Sequence, residues 1–457
     1  MLINPARNYI RGCERKVCTQ PLGLSYVAAA LRAAGYQVAI LDATVEGYDN
    51  ESPARNGFIR YGLSPEEIRK RIKAYAPDVV GVGAVQSLQL YEAYEVFDIV
   101  KALDPEIVTL FGGAHASAMY EKEAAQPNID FVVVGEGELT IVTLAKRLEE
   151  GPVTGDVPGV AYMDGDRLRN APGQRLRNLD ELPFPAYDLL PMDKYHLPGA
   201  SPSSFSSGRV AIMQTSRGCP HNCRHCPKNV VFGHTYRRRS INHVIAEVLH
   251  FVNSFDINEI HIEDSNFTID RKRVLDFCAR IQALKLDLKF SLPHGIEVNT
   301  LDRELLQTMF DTGFNVLHLS IESVNDAVLK TQDKSLVPDK IRNVIVTAKD
   351  IGYLVTGYFM LGFPDERMSD MRQTVDFAKA LPIDKVNFFI YTPLPGTPIY
   401  EECLASGLLK EGFDITHLRY GWANIDTKHF THQDLQNMRR DAWKEIMADR
   451  KSTCAKA

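Results

Sequence analysis

Short apolar runs alternate with stretches whose apolar positions fall three and four apart through the first third of the chain. The run 2–6 opens it, and after a long loop Pro21-Leu22-Gly23-Leu24 introduces a helical pattern on Leu24, Val27 and Leu31 that stops at Gly35. Strand 38–42, helix 65–75, strand 79–84, helix 91–103, strand 107–113, strand 131–135 and helix 139–149 continue the alternation. Near-continuous apolar strands separated by helices predict an α/β fold with a doubly wound, Rossmann-like parallel sheet, whose ligands sit at the carboxyl edge. Residues 151–208 then fill with Pro, Gly and Ser, including a hairpin turn at Asp164-Gly165-Asp166, and read as a connection between domains.

The alternation resumes at 210. Strands 210–214, 259–263, 289–292, 316–321, 355–361 and 385–391 are interleaved with helices 241–255, 271–284, 303–312, 338–351 and 370–381. Six strand-helix units result, the last strand lacking a clear helix of its own. A final helix over 433–450 carries Leu435, Met438, Trp443, Ile446 and Met447 near helical spacing, as a short helical tail would. The expected division is 1–150, a linker 151–208, a second body 209–398 and a C-terminal extension 399–457.

At 457 residues, 45% hydrophobic and 24% charged, the chain has the balance of soluble multidomain proteins. No apolar run approaches the roughly 20 residues of a spanning helix, and Met1-Leu2-Ile3-Asn4-Pro5 lacks the basic region of a signal peptide, so the expectation is a cytoplasmic protein without a membrane span. A net charge of −6 offers no broad basic surface for nucleic acid. Eight cysteines in so long a chain suit reduced thiols better than a disulfide scaffold.

Three of those thiols, Cys219, Cys223 and Cys226, crowd into Arg217-Gly-Cys-Pro-His-Asn-Cys-Arg-His-Cys-Pro227. The spacing lets three sulfurs converge from one irregular loop and leaves no fourth ligand nearby for a closed zinc site, so a zinc knuckle is the weaker reading. A 4Fe-4S cluster held by three thiolates keeps one iron open, and an open iron is what chelation of S-adenosylmethionine (SAM) by its amino and carboxylate groups requires. An iron-sulfur electron carrier or sensor gains nothing from that opening, which sets this alternative back. Cys13 and Cys18 lack histidine or carboxylate neighbours at ligand spacing and read as spectators, while Cys278 and Cys403 fall in helical patterns as packing residues.

The cysteine loop resembles that of the radical SAM superfamily, and with it comes a partial (β/α)6 TIM-type barrel whose chemistry gathers at the carboxyl ends of the strands. The resemblance places SAM against His225, against Glu263 and Asp264 after the second strand, and against Ser320 and Glu322 in Leu-Ser-Ile-Glu-Ser. It also implies Met360 in the segment 357–366, and Tyr391 at the sixth strand. Glu263-Asp264-Ser265 departs from the family's usual Gly-Gly-Glu, so contact there runs through backbone carbonyls. The first 150 residues lack Gly-x-Gly-x-x-Gly after the first strand, which argues against NAD. Their Pro-Leu-Gly-Leu, Gly112-Gly113-Ala114-His115 and Gly135-Glu136-Gly137-Glu138 resemble the cobalamin-binding domain of cobalamin-dependent radical SAM enzymes, with Leu22, Gly23, Gln86, Ser87, Gly112, Gly113, His115, Gly135, Glu136 and Gly137 as the implied cofactor residues. Glycines there let a bulky ligand approach the backbone. Cobalamin domains outside this group present Asp-x-His-x-x-Gly to cobalt, whereas Asp42-Ala-Thr-Val-Glu-Gly47 copies the spacing with Thr44, after the wrong strand. The expectation is therefore cobalamin without a protein cobalt ligand, His115 being the one possible substitute; an empty domain used for packing or docking is the alternative.

The activity so implied is reductive cleavage of SAM to a 5′-deoxyadenosyl radical and functionalisation of an unactivated carbon of a small-molecule or peptide substrate, with methyl transfer from cobalamin foremost. Cyclisation, rearrangement or dehydration stay open, because the first half of the reaction is shared. An external electron donor of flavodoxin or ferredoxin type is the implied partner. Arg239, in Arg237-Arg238-Arg239-Ser240, reads either as a solvated arginine before a helix or as an anion site for substrate, and Tyr420 and Trp422 are candidates for closing over substrate.

Overall fold

The structure is a computed structural model that describes residues 1–12, 14–84, 86–196 and 208–454. They separate into two compact units, Met1–Cys219 with Pro227–Glu259, and Pro220–Cys226 with Ile260–Ala457.

In the first unit a seven-stranded sheet runs in the order Arg167–Asn170, Val160–Asp164, Phe131–Val133, Val108–Gly112, Val79–Gly83, Leu2–Asn4, Ile40–Asp42. The last five strands in that order are mutually parallel. Helices Leu22–Ala33, Pro65–Tyr75, Leu90–Leu103 and Gly137–Glu150 intervene in the chain. Ser64 starts the second of these with a capping box closed by Glu67, and Pro65 occupies the first helical position, where a missing N–H costs nothing. Strand order reverses between Leu2–Asn4 and Val79–Gly83. The loops after these two strands therefore flank the crevice in which doubly wound sheets bind ligands.

Two parts of this unit differ from the sequence expectation. The long loop after the first strand contains Arg7–Tyr9, which joins Glu51–Pro53 and Ile59–Tyr61 in a small antiparallel sheet. Three-residue strands are too short to show a period-two pattern. Within the expected linker, Val160–Asp164 and Arg167–Asn170 form a hairpin that extends the large sheet antiparallel to Phe131–Val133. Val157, Val160 and Tyr162 share a buried cluster with Leu110, Phe131, Ile141 and Leu144, so the hairpin is part of the core of this unit. Residues 197–207 of that segment lie outside the described residues.

Val210–Met213 and helix Ile241–Phe255 also group with the first unit. The Gln20 amide donates to the Val210 carbonyl (2.8 Å) and accepts from the Ile212 amide (2.7 Å), so one side chain serves as a short strand partner. Tyr187 Oη completes the anchor by donating within reach of the Ile212 carbonyl (3.0 Å) and Glu247 (2.9 Å).

The second unit continues the βα alternation. Glu259–Ile262 neighbours Lys289–Ser291, and Ile296–Glu297, Val316–Glu322, Leu354–Leu361 and Lys385–Ile390 form a parallel sheet in chain order. The expected strand 289–292 is observed as Lys289–Ser291, and Ile296–Glu297 is a further short strand beyond a turn at Pro293-His294-Gly295 in which Gly295 has φ +87°. Leu317, Leu319 and Ile321 are fully buried, which by strand alternation puts His318 and Ser320 on the opposite face, and a register shift then falls between Ser320 and Glu322. Phe267, Phe277, Phe290 and Phe314 pack at centroid distances of 5.1–6.3 Å on the helix side. Helices Pro398–Ala405 and His432–Cys454 make the helical C-terminal part.

Candidate functional site

In the first unit the crevice is bordered by turns whose glycines do two different jobs. A Cβ built at Gly113 (φ +106°) would lie 2.4 Å from the Ala84 carbonyl oxygen, and one at Gly137 would lie 3.1 Å from Val27. At these two positions a side chain would meet the protein's own backbone and a neighbouring helix. Gly23, Gly112 and Gly135 are the open ones: a Cβ would meet nothing within 4 Å, only Val133 at 3.7 Å, and only the Val231 carbonyl at 3.8 Å. An edge left bare in this way fits a large planar cofactor such as cobalamin. Ser117, which the sequence did not single out, cross-links the two glycine turns by donating to the Gly113 carbonyl (2.8 Å) and accepting from the Gly135 amide (2.9 Å).

Side chains around this edge sort by their partners. Gln86 is exposed, Ser87 is buried, and Leu22 packs against the Tyr26, Leu179 and Leu182 cluster. Glu136 is only 7% exposed, and its carboxylate receives Arg217 (3.0 Å) and, through both oxygens, Arg237; Glu138 receives the other arm of Arg217 at 2.6 Å. Glu136 therefore serves as an ion-pair anchor where the sequence suggested a cofactor contact. His115 cannot turn a free nitrogen to cobalt, because Nδ1 lies 2.8 Å from Ser87 Oγ and Nε2 lies 3.3 Å from Glu123. Asp42 is a buried helix cap, accepting from the Thr44 and Val45 amides, Asn4 and Tyr195, and Thr44 donates to the Pro5 carbonyl. Burial pushes the Cys18 thiol far up, away from the thiolate a metal needs. Cys13 lies outside the described residues. Arg239, the substrate candidate, is 4% exposed and pairs with Glu247 while donating to the Gln214 carbonyl at 2.9 Å, a structural use of the whole guanidinium.

The cysteine loop leaves the first unit at Cys219, whose amide reaches the Gly233 carbonyl at 3.4 Å. Cys219, Cys223 and Cys226 are all half-buried and in no disulfide, and the Cys226 amide donates to the Cys223 carbonyl at 3.1 Å. Among the described residues no three His, Cys, Asp or Glu side chains gather as a single metal ion would require. Thiolates that each hold a different iron of a cluster need not do so.

In the second unit the strand ends bring several expected residues together. Glu322 sits at a register shift against Leu354–Leu361 with φ +65°, a left-handed conformation that costs a non-glycine residue about 1 to 3 kcal/mol. Lys334 Nζ holds it there, 3.1 Å from the carboxylate and 3.2 Å from the Ser320 carbonyl. Burial works against ionisation of Glu322, yet Lys334 and then His225 outweigh it and pull the carboxyl below its usual range. Burial pushes the His225 imidazole down, and its ring meets Phe363 edge-on at 5.6 Å. Phe363 stands 5.4 Å from Tyr391, which is fully buried, and Met360 is 8% exposed on the adjacent strand. Glu263 pairs with His294 after its strand, and Asp264 is buried beside it. Tyr420 lies within electrostatic reach of Cys226 and Glu322 and edge-on to Phe389 at 5.7 Å. Trp422 instead stacks on His417 at 5.5 Å with Lys410 over its ring.

Lys334 is the residue that sequence reasoning missed. Its only local signal was a position just past a short helix, where a lysine is usually a solvated cation. Also unforeseen is His318, pushed down to about 4 by burial, then His261 and Lys385, and hydrogen-bonded to Tyr358 at 3.1 Å. A neutral imidazole thus underlies the strand ends.

Residues 10–145 match the B12 binding domain model and residues 213–378 the Radical SAM superfamily model. The chain is 34% identical over 434 residues to the uncharacterized methyltransferase PH0819 of Pyrococcus horikoshii, covering 93% of this chain and 86% of that one. It is 31% identical over 452 residues to cytidylyl-2-hydroxyethylphosphonate methyltransferase of Streptomyces wedmorensis, covering 92% and 84%. In fold it is similar to the radical SAM methyltransferase TsrM of Kitasatospora setae with cobalamin and a [4Fe-4S] cluster bound: TM-score 0.71 and 18% identity, over 90% of this chain and 80% of that one.

The two kinds of glycine give a direct check. Gly113→Ala should cost at least about 1 to 3 kcal/mol in urea unfolding, from the left-handed backbone alone. Gly23→Ala should move stability by less than about 1 kcal/mol, since the new methyl meets open space.

Proposed function

The chain belongs to the B12-binding-domain radical SAM enzymes, and from that premise we propose that it transfers a methyl group from SAM to a carbon of a small-molecule substrate. It is an enzyme that works with a 4Fe-4S cluster, SAM and cobalamin. The observation that carries the methyl-transfer reading is the 31% identity to a named methyltransferase, which runs through both halves of the chain. The cysteine loop would hold the cluster and the crevice the cobalamin, which would supply an electron for the sulfonium of SAM and a carrier for methyl respectively.

The chain's own residues do the rest. Cys219, Cys223 and Cys226 would hold the cluster through three thiolates, which would leave room for SAM to bind by its amino and carboxylate groups. Glu322, held ionised by Lys334, accepts from the ribose hydroxyls, and His225, Met360 and the Phe363–Tyr391 pair flank the adenosyl end. Glu263 and Asp264 stand at the amino end, and Tyr420 borders the substrate side. Gly23, Gly112 and Gly135 leave room for the corrin. The electron comes from an external donor of flavodoxin or ferredoxin type. No helix of the described residues is long and apolar enough to cross a membrane.

Anaerobic reconstitution with methyl-labelled SAM tests this reading. The expected result is bound cobalamin by absorption, release of deoxyadenosine and S-adenosylhomocysteine, and label in the product; deoxyadenosine without any labelled product would assign cyclisation or rearrangement instead. Each of Cys219→Ala, Cys223→Ala and Cys226→Ala should lose cluster absorption and SAM cleavage with unchanged far-ultraviolet circular dichroism, because all three thiols lie in a half-buried loop. Glu322→Ala should weaken SAM binding by about 1 to 3 kcal/mol in equilibrium dialysis, the scale of a lost charge-assisted hydrogen bond.

A further inference from the structure

Beside the crevice of the first unit four polar side chains stand in a row. Ser87 opens the turn after strand Val79–Gly83, His115 belongs to Ala114–Ala118, Glu123 to Tyr120–Ala124, and Tyr94 to helix Leu90–Leu103. Tyr94 Oη donates to Glu123 Oε2 at 2.7 Å, Glu123 Oε1 faces His115 Nε2 at 3.3 Å, and His115 Nδ1 faces Ser87 Oγ at 2.8 Å. Ser87 is 5% exposed, His115 3% and Glu123 0%. Ser87 is the first residue of the turn Ser87–Gln89, whose cap position is Gln86, so its hydroxyl is not spent on capping a helix.

Proton counting orders this row. The Tyr94 phenol is held protonated by burial and by its bond to Glu123, so it supplies the proton on one carboxylate oxygen. A carboxylate only accepts, and its second oxygen therefore requires the proton of the imidazole to be on Nε2. In the neutral imidazole Nδ1 is then a lone pair, and Ser87 donates its single proton to it. What the Ser87 oxygen has left is two lone pairs and no proton.

We infer that Tyr94, Glu123 and His115 act as positioning residues that make Ser87 an acceptor-only group at the crevice, selecting cobalamin through a donor such as one of its peripheral amides. This rests on the cobalamin reading above. It gives the buried histidine a task other than cobalt ligation, and a crevice lined by a fixed acceptor favours an amide-bearing corrinoid over one bearing carboxylates, whose oxygens would face those lone pairs.

The test has two arms. Cobalamin-free protein labelled with nitrogen-15 histidine is compared with its His115→Gln variant, to pick out one ring among thirteen histidines. The expected signal is a neutral ring protonated at Nε2; a proton on Nδ1, in the neutral ring or in the imidazolium, overturns the ordering. Absorption titrations then compare cobalamin with cobyrinic acid, whose peripheral groups are carboxylic acids. Ser87→Ala should weaken cobalamin binding about threefold to tenfold, the range of one neutral hydrogen bond, with little change for cobyrinic acid, and Ser87→Thr should restore the preference. An unchanged ratio between the two corrinoids in Ser87→Ala overturns the selection. If the unaltered protein binds no cobalamin, the cobalamin reading falls and the ligand half of this inference with it, while the nitrogen-15 arm still decides the proton order.

Discussion

Two guanidinium groups and two carboxylates, none more than 8% exposed at the side chain, meet beneath the second glycine turn. Each of these ions is costly to bury alone, and leaving one unpaired is worth several kcal/mol of destabilisation. Pairing is obligatory, and it fixes geometry. Arg217 bridges Glu136 and Glu138 while its plane lies over Tyr26 at 4.8 Å and Phe232 at 5.3 Å. Arg237 takes Glu136 from the other side and donates to the Leu176 and Phe232 carbonyls at 2.7 and 3.1 Å. The strand Ser216–Arg217 runs straight into Gly218 and Cys219, so the lattice sets the start of the cysteine loop relative to the turn that carries Gly135. Lysine in place of either arginine would lose the fork that allows one side chain to hold two carboxylates.

The same residue types carry opposite roles according to what surrounds them. Acids in motifs were the least readable part of the chain, since a carboxylate after a glycine turn looks alike whether it meets a ligand or an arginine. Glu136 and Glu138 are anchors, and Glu247 neutralises Arg239, while Glu322 keeps one face toward the strand ends. Glu366 shows a third outcome. It accepts from the Gly362 and Phe363 amides at 2.7 and 3.2 Å, and burial pushes its carboxyl up to about 8, so this acid shapes the turn after strand Leu354–Leu361.

Elements with strong period and clean ends were legible: helices Ile241–Phe255, Arg271–Leu284 and Pro338–Ile351 begin and end as their patterns predict, because Ser240 and Asp270 cap the first two and Pro338 opens the third. The cysteine loop and the order of the strand ends were legible too, since both are local in sequence. What escaped was non-local or too short. Strands of three residues carry no alternation, the hairpin Val160–Asp164 with Arg167–Asn170 hid among Pro and Gly, and Lys334 acquires meaning only when folding sets it against a carboxylate twelve residues away. Glycine was read as one kind where the structure holds two. A glycine with open space beside it and one packed against Ala84 or Val27 have the same signature in sequence, and only the surrounding atoms tell them apart.

Glu322 shows why such a site can be strained and still single-valued. A glutamate at φ +65° is strained, and relaxation toward the extended region would displace its carboxylate from Lys334. Lys334 opposes that relaxation at two points, since it binds both the carboxylate and the carbonyl of Ser320 that precedes the register shift. The attraction is strongest when both charges are partly removed from water, and their side chains are only 13% and 14% exposed. His225 adds to the same field from the cysteine loop, for its imidazole also favours the ionised carboxylate. Strain at one residue is thus balanced by a pair of contacts that would be lost together if it relaxed. That coupling makes the carboxylate's position at the strand end a cooperative property of Ser320, Glu322 and Lys334.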